Sequence, residues 1–382
     1  MKNFLQQYIE KQKQLYRYRQ RELVEESENC HVKIAGKHYI NFSSNDYLGL
    51  NNHPLIKKSM QEGIDKYGLC ASGSNLITGY SYAHSVLEET ICYWLNKPKC
   101  LLFTSGFAAN LGVLQALAND QWYFWLDKLS HASIIDGAYT SSAHVKRFLH
   151  NDIKQLALFI EKKQIATPHK KHLIVSEGVF SMDGDKADIA QLSSLAKKKQ
   201  AMLYLDDAHS IGVVGNKGQG STSEANIDII MATFGKAIAT SGAFIACNET
   251  VYDYLINFSR HYIYSTAMSP ALAWATKTSI ELVQQEVWRR EKIAELSTIF
   301  KQSLNKEIKL LPTESSIHAI VVGSEEKALM LSDLLKEKGL WITAIRPPTV
   351  TNNKSRLRIT ICADHKEKDI KYLATLLNEN IT

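Results

Sequence analysis

The sequence predicts an α/β protein: a large domain on a mostly parallel β-sheet, a small C-terminal α+β domain and a short N-terminal arm. Three observations carry this. From about residue 83 to residue 207, short apolar runs alternate with segments of helical period, the pattern of strands joined by crossover helices. The apolar runs are continuous rather than alternating, as expected where helices cover both faces of a sheet. Past about residue 305 the order changes to strand, helix, two strands and a last helix, which reads as a separate small domain. A chain of 382 residues has room for one large unit and one smaller one.

The elements follow in order. Residues 3–28 read as an amphipathic helix with apolar positions at Phe4, Leu5, Tyr8, Ile9 and Leu15. "HVKIAGKHYINF" alternates about Gly36 like a short hairpin. Then come a helix over 83–95, a strand at "CLLF", a helix at "GFAANLGVLQALA" and a strand at "WYFWL". "VKRFL" is a strand, 152–164 a helix, "HLIVSE" a strand, 187–199 a helix and "AMLYLDD" a strand. A strand-like run over 228–233 leads to a lysine, Lys236. A single long helical stretch, 270–305, opens at Pro270 and contains no further proline or glycine. "IHAIVVG", a helix over 325–338, "LWITAIR", "RLRITIC" and a final helix complete the chain. The boundaries drawn from this are an arm over 1–44, a large domain over 45–283 and a small domain over 284–382.

Composition narrows the function classes. The hydrophobic content of 45% and charged content of 22% are ordinary for a soluble globular chain. A net charge of +6, spread over scattered lysines, biases the surface toward anionic ligands without forming a nucleic-acid footprint. The six cysteines (Cys30, Cys70, Cys92, Cys100, Cys247, Cys362) show no C-x-x-C pairing, which points to reduced thiols in a cytoplasmic protein. The N-terminus lacks the apolar core of a signal peptide, and no apolar run is long enough to cross a bilayer. The expectation is therefore a cytoplasmic protein with no nucleic-acid, membrane or metal partner.

Unusual polar residues fall at predicted strand ends, where ligands collect in open parallel sheets. They are "FTSGF" (103–107), "SHAS" (130–133), "SEGVFSMDGD" (176–185), "LDDAHS" (205–210) and "TFGK" (233–236). Each alone has a plainer explanation: a Ser-Gly caps a helix, an Asp-Asp makes a solvated turn, and a lone lysine snorkels from a sheet edge. "DDAH" lacks the second ligand cluster of a metal site. The glycines of "GVVGNKGQG" match neither the dinucleotide nor the P-loop spacing. Five such strand ends in this order are harder to explain as structure alone.

Together with "NFSSNDYLGL" and "AIRPPTV…RLRIT", these stretches resemble the α-oxoamine synthase family of pyridoxal 5'-phosphate enzymes, on the aspartate-aminotransferase-like (fold type I) architecture. The likeness runs from about residue 15 to the C-terminus. It implies that 45–283 binds the cofactor and that Lys236 is the lysine holding it covalently and later moving protons. Partial burial would favour a nucleophilic amine there. Asp206, with Asp207 as its competitor next door, resembles the partner of the pyridine nitrogen; His209 resembles the partner of the phenolic oxygen, and Ser181 lies in the loop near it. His131 resembles the histidine stacked on the ring. Gly106, Phe107 and Thr233 resemble phosphate ligands, the first two at a helix start. Thr266 resembles the threonine that completes the phosphate site of the neighbouring subunit, which implies a homodimer.

The resemblance also places substrates. Arg358 resembles the clamp on the amino-acid carboxylate, assisted by Asn45, and Glu177 lies where the family has a carboxylate near the reacting centre. Arg19, Arg346 and Thr349 resemble acyl contacts, with Arg17 and Arg21 flanking the first. The activity implied is decarboxylative condensation of L-alanine with pimeloyl-CoA or a pimeloyl-acyl carrier protein, giving a biotin precursor. Sister activities of the 2-amino-3-ketobutyrate CoA ligase, 5-aminolevulinate synthase and serine palmitoyltransferase types are the nearest alternatives. Those usually have Gly-Gly where this chain has Ser241-Gly242-Ala243. A non-catalytic pyridoxal-phosphate module is a further one. The chain departs from the family pattern at Thr351 and Asn353, where proline and glycine are usual, at Ile211, and at "MSP" in place of a Pro-Pro.

Overall fold

The computed structural model describes residues 2–381. In chain order its strands are β1 (Val24–Glu28), β2 (His31–Ile34), β3 (Lys37–Asn41), β4 (Lys99–Phe103), β5 (Trp122–Asp127), β6 (His144–Phe148) and β7 (Lys171–Glu177). They continue with β8 (Met202–Asp206), β9 (Ile229–Thr233), β10 (Ala243–Cys247), β11 (Ile317–Gly323), β12 (Leu340–Trp341), β13 (Thr343–Ile345) and β14 (Ser355–Thr360). Two compact units result: residues 50–180 with 186–287, and residues 1–49 with 181–185 and 288–382.

The larger unit is built on a seven-stranded sheet of order β4-β10-β9-β8-β7-β5-β6. Only β10 runs antiparallel to its neighbours; the other pairings are parallel, so the mostly parallel α/β architecture holds. Parallel strands need crossovers, and the helices Gly106–Leu117, Ile153–Ala166 and Ile189–Lys198 lie between successive strands. The core joins Leu101, Phe103, Val113, Leu114, Phe124, Leu126, Val175 and Ile245, all fully or almost fully buried. Such two-sided burial accounts for the unbroken apolar runs.

The smaller unit has two sheets. β1, β2 and β3 form an antiparallel meander joined by β12, which runs parallel to β3. Between β2 and β3 the chain turns through Ala35 (φ 48°) and Gly36 (φ 73°), the left-handed pair that a two-residue hairpin requires. The second sheet is antiparallel, of order β11-β14-β13. Phe42, Leu296, Phe300, Ile320, Leu357 and Ile370 fill its core.

Three sequence readings are corrected. The first helix is Lys2–Gln14, not 3–28: Tyr16 takes a left-handed φ of 54°, and Val24–Glu28 leaves helix to satisfy its backbone on β2. The stretch 270–305 is two helices, Pro270–Gln285 and Trp288–Ser303. No proline or glycine breaks it; the halves bury different faces in different cores. Pro270–Gln285 packs on the helix Pro54–Tyr67 so closely that a Cβ on Gly63 would lie 2.8 Å from the Ala271 Cα, while Trp288–Ser303 places Leu296 and Phe300 in the small core. "LWITAIR" is not one strand either, because buried Ile342 separates β12 from β13 and the two join different sheets. Among the described residues no helix is long and apolar enough to cross a membrane.

Candidate active site

A cavity of ≈ 190 Å³ opens in the larger unit where its strands end, lined by Gly106, Phe107, His131, Glu177, Asp206, His209, Thr233 and Lys236 together with Asn110, Ser133, Ala208 and Met231. Eight of the residues singled out in the sequence therefore meet in one place. Asp206 and Glu177 are the last residues of β8 and β7 and sit in register across the parallel pair. Thr233 ends β9, and Lys236 lies three residues beyond it.

Two buried carboxylates side by side cannot both be comfortably ionised. Burial, reinforced by the neighbouring Asp206 charge, pushes the Glu177 carboxyl well above the usual range. Its Oε1 accepts the His131 backbone N–H at 2.5 Å. Asp206 has two donors: the Ala208 N–H to Oδ1 at 3.0 Å and the Asn110 amide to Oδ2 at 2.8 Å. Lys236 Nζ lies 2.8 Å from His209 Nε2. Burial keeps the His131 imidazole below its ordinary pKa, the attraction of Asp206 being partly opposed by Lys236.

Of the adjacent aspartates only Asp206 lines the cavity. Successive strand residues face opposite sides, so Asp207 points away from the cavity, where Ser221 donates its N–H to Oδ2 at 2.8 Å and its hydroxyl to Oδ1 at 2.6 Å. A Cβ on Gly220 would lie 2.0 Å from Asp207 Oδ2, which explains a glycine there. Burial lifts the Asp207 carboxyl to about 6. Because the folded value exceeds the unfolded one, this group's contribution to stability is complete below the ordinary aspartate range and is lost as pH rises through about 6. Asp207→Asn should remove that pH-dependent loss, about 3 kcal/mol on the scale of 1.36 kcal/mol per pKa unit; urea unfolding at a series of pH values checks it, and an unchanged slope would refute the assignment.

The helix Gly106–Leu117 starts at the cavity. Its cap, Ser105, accepts from Ala108 N–H, leaving the Gly106 and Phe107 amides as the helix-end donors that suit an anion. Thr233 Oγ1 donates to the Gly242 carbonyl at 2.8 Å, so it can turn to an anion only by giving up that bond. The donor set fits pyridoxal 5'-phosphate: amides for a dianion, an amine for a carbonyl carbon, a carboxylate for a protonated ring nitrogen. Among the described residues no cluster of three His, Cys, Asp or Glu side chains could hold a metal ion.

Other predicted residues form two further groups, both in the smaller unit. Arg358 is buried, and its Nε donates to the Ser181 carbonyl at 2.6 Å while Nη2 reaches Asn45 Oδ1 at 3.2 Å and Tyr47 OH at 3.4 Å. Those contacts orient the guanidinium and commit Nε and Nη2, so a carboxylate would meet it chiefly through Nη1. Arg19, Arg346 and Thr349 share a cavity of ≈ 260 Å³, with Arg19 Nη2 3.4 Å from Thr349 Oγ1. Burial and the nearby Arg19 charge lower the Arg346 pKa, with Asp333 and Glu325 opposing. Arg17 lines the same cavity and is paired with Glu325 at 2.7 Å. Asn353 has φ 58°, a left-handed position where asparagine is tolerated in place of the usual glycine.

Thr266 does not line the larger unit's cavity; it is exposed and forms a bridge to Ser74. Residues that the sequence reading missed are Asn110, Ser133, Tyr204 and Tyr47. A signal existed for the first: Asn110 is the one strongly polar side chain on the buried face of an otherwise apolar helix.

The model of the family described as aminotransferase class I and II matches residues 37–377. The chain belongs to the aminotransferase class I and II family. Its relatives in this family include the 8-amino-7-oxononanoate synthase of Photobacterium profundum, 43% identical over 95% of this chain and 93% of that protein. The enzyme of that name from Salmonella typhi is 40% identical over 94% of each. Among solved structures, Sphingomonas wittichii serine palmitoyltransferase superposes with a TM-score of 0.93 at 26% identity, covering 99% of this chain and 97% of that one. The 8-amino-7-oxononanoate synthase of Francisella tularensis does so with a TM-score of 0.75 at 28% identity, over 90% and 98%. The aminotransferase class I and II architecture thus spans both units.

Proposed function

We propose that the chain is a pyridoxal 5'-phosphate-dependent acyltransferase of biotin biosynthesis, condensing L-alanine with a pimeloyl thioester to give 8-amino-7-oxononanoate, carbon dioxide and free thiol. The observation that carries the reading is 40–43% identity over almost the whole chain to proteins of that name. The thioester is carried by coenzyme A or an acyl carrier protein.

When bound, the cofactor supplies a ring that withdraws the electron pair left as the amino acid loses a proton or carbon dioxide. Lys236 holds it covalently and moves the α-proton at Nζ. Asp206 keeps the ring nitrogen protonated, His131 stacks on the ring, and His209 and Ser181 bond the phenolic oxygen. Gly106, Phe107 and Thr233 take the phosphate. Glu177, whose carboxyl burial pushes well above the usual range, holds the His131 backbone N–H. Arg358 with Asn45 clamps the amino-acid carboxylate, while Arg19, Arg346 and Thr349 receive the acyl partner. Arg358→Ala should raise the KM for alanine about a hundredfold, the scale of one to two charge-assisted hydrogen bonds. Arg19→Ala should instead raise the KM of the acyl thioester. Steady-state kinetics with each substrate varied separately checks both, and equal effects on the two KM values would refute the division.

We further propose a homodimer in which Thr266 completes the partner's phosphate site. Support comes from the exposure of Thr266 and of large apolar side chains on the same unit, among them Ile77 at 79% and Tyr264 at 71%. Thr266→Ala should weaken cofactor affinity about tenfold or more, and cofactor affinity should fall on dilution into monomer. Sedimentation showing a monomer with full affinity would contradict this. The six unpaired cysteines suit a reducing cytoplasm.

A further inference from the structure

We propose that Tyr204, Asn110 and Ser133 are positioning residues forming a one-way hydrogen-bond relay that fixes the proton of His131 on Nε2 while holding Asp206 as a carboxylate acceptor. The inference rests on the functional reading above only in taking the cavity as a cofactor site; the relay itself is a property of the chain.

Its geometry is a connected path. Tyr204 lies two residues before Asp206 on β8, so both side chains leave the same face of the strand. The Tyr204 hydroxyl lies 2.5 Å from Asn110 Oδ1. Asn110 Nδ2 lies 2.8 Å from Asp206 Oδ2 and 2.8 Å from Ser133 Oγ. Ser133 Oγ lies 2.7 Å from His131 Nδ1, which also receives the Ser133 backbone N–H at 3.3 Å. All but His131 are almost wholly buried, so no abundant solvent can substitute for a missing partner.

The direction of each bond follows from which group has a proton to give. Tyr204 is a neutral phenol, burial having moved its ionisation far up, and an amide oxygen can only accept from it. Turning the Asn110 amide over would set its oxygen against the Asp206 carboxylate and its nitrogen against the phenol. The observed orientation therefore spends one amide proton on Asp206 and the other on Ser133. Ser133 Oγ could still accept a second time, but the Ser133 backbone N–H can only donate and faces Nδ1 at 3.3 Å, so Nδ1 accepts and the hydroxyl gives its own proton to it. With two donors aimed at it, Nδ1 must present a lone pair, and the neutral ring carries its proton on Nε2.

The consequence is electrostatic. A doubly protonated imidazole would place an N–H on Nδ1 facing those two donors, so the relay opposes the cation. The titratable groups facing His131 are Asp206, Lys236, Asp136 and, at its backbone, Glu177. Keeping the stacked ring neutral leaves the Asp206 charge to the cofactor's ring nitrogen instead of dividing it with an imidazolium. Tyr204, which touches neither cofactor nor substrate in this scheme, thus acts on both His131 and Asp206 through a single amide.

The test is side-chain nitrogen NMR of the full-length protein labelled in histidine, with and without pyridoxal 5'-phosphate, using His131→Gln to assign the signal. The wild type should show His131 protonated on Nε2 alone, titrating below an ordinary histidine. Ser133→Ala should raise the midpoint by about one pH unit, the worth of one hydrogen bond, and Ser133→Thr should restore it. Tyr204→Phe should introduce the Nδ1-protonated form and lower kcat about tenfold, leaving the KM of the acyl thioester unchanged. A wild-type His131 protonated on Nδ1, or a tautomer and midpoint indifferent to both Ser133→Ala and Tyr204→Phe in folded protein, overturns the relay. If the Nε2 tautomer is found but the cofactor does not bind, the relay stands and the functional reading falls.

Discussion

Lys236→Ala should be inactive, with turnover lower by at least about 10⁴-fold, because both covalent attachment and proton transfer depend on one amine. In the structure Nζ lies 2.8 Å from His209 Nε2 in a cavity that Asp206 also lines. The side chain is only half-buried, so the variant should fold with little change in thermal stability. It should also lack the visible absorbance of covalently held cofactor that borohydride abolishes. A folded variant that keeps this absorbance would remove Lys236 from the role.

Asp206→Asn should lose about 10²–10³-fold in kcat, the scale on which a fixed charge aimed at a developing charge contributes to catalysis. The substitution is close in shape but not in hydrogen bonding. Both Asp206 oxygens accept, one from Ala208 N–H and one from Asn110, and an asparagine must turn its own donor toward one of them. One buried donor then goes unpaired, at about 1–3 kcal/mol. Calorimetry should accordingly show a lower Tm alongside the kinetic loss, and cofactor affinity should fall less than kcat does. Full activity with a lowered Tm would show Asp206 to be structural only. Asp207→Asn provides the internal contrast, since that carboxyl serves Ser221 and not the cavity.

Much of the site was legible because its chemistry sits at strand ends, where local sequence and topology agree. Asp206, Thr233 and Lys236 each follow an apolar run long enough to be a buried strand, and the parallel order of those strands brings their ends to one edge. What the sequence hid was tertiary. Tyr204 reads as one more apolar strand residue and Ser133 as an ordinary helix residue; only the packing of β8 and of the helix Ala132–Tyr139 against the helix Gly106–Leu117 makes them partners of Asn110. The split at Glu286 and Val287 was equally hidden, because nothing local breaks the helix and the competition is between two cores. The first helix was overextended for the converse reason. Its periodic residues Phe4, Leu5 and Tyr8 are exposed in the folded chain, so amphipathic period alone did not report burial, and pairing with β2 claimed the residues beyond it. The pairing of Arg17 with Glu325 was hidden for the same reason, because 308 residues separate them along the chain.

The central claim is the reaction itself, and isotope-resolved product analysis tests it most directly. Purified protein loaded with pyridoxal 5'-phosphate would be given carboxyl-labelled L-alanine with pimeloyl-CoA and, in parallel, a pimeloyl-acyl carrier protein, and both the released gas and the organic product would be followed by mass spectrometry. The account predicts labelled carbon dioxide and unlabelled 8-amino-7-oxononanoate in equal amounts from at least one thioester, with glycine and serine reacting less well. Absence of that product, together with turnover of glycine or serine with a different acyl thioester, would contradict the account and assign the chain to a sister condensation.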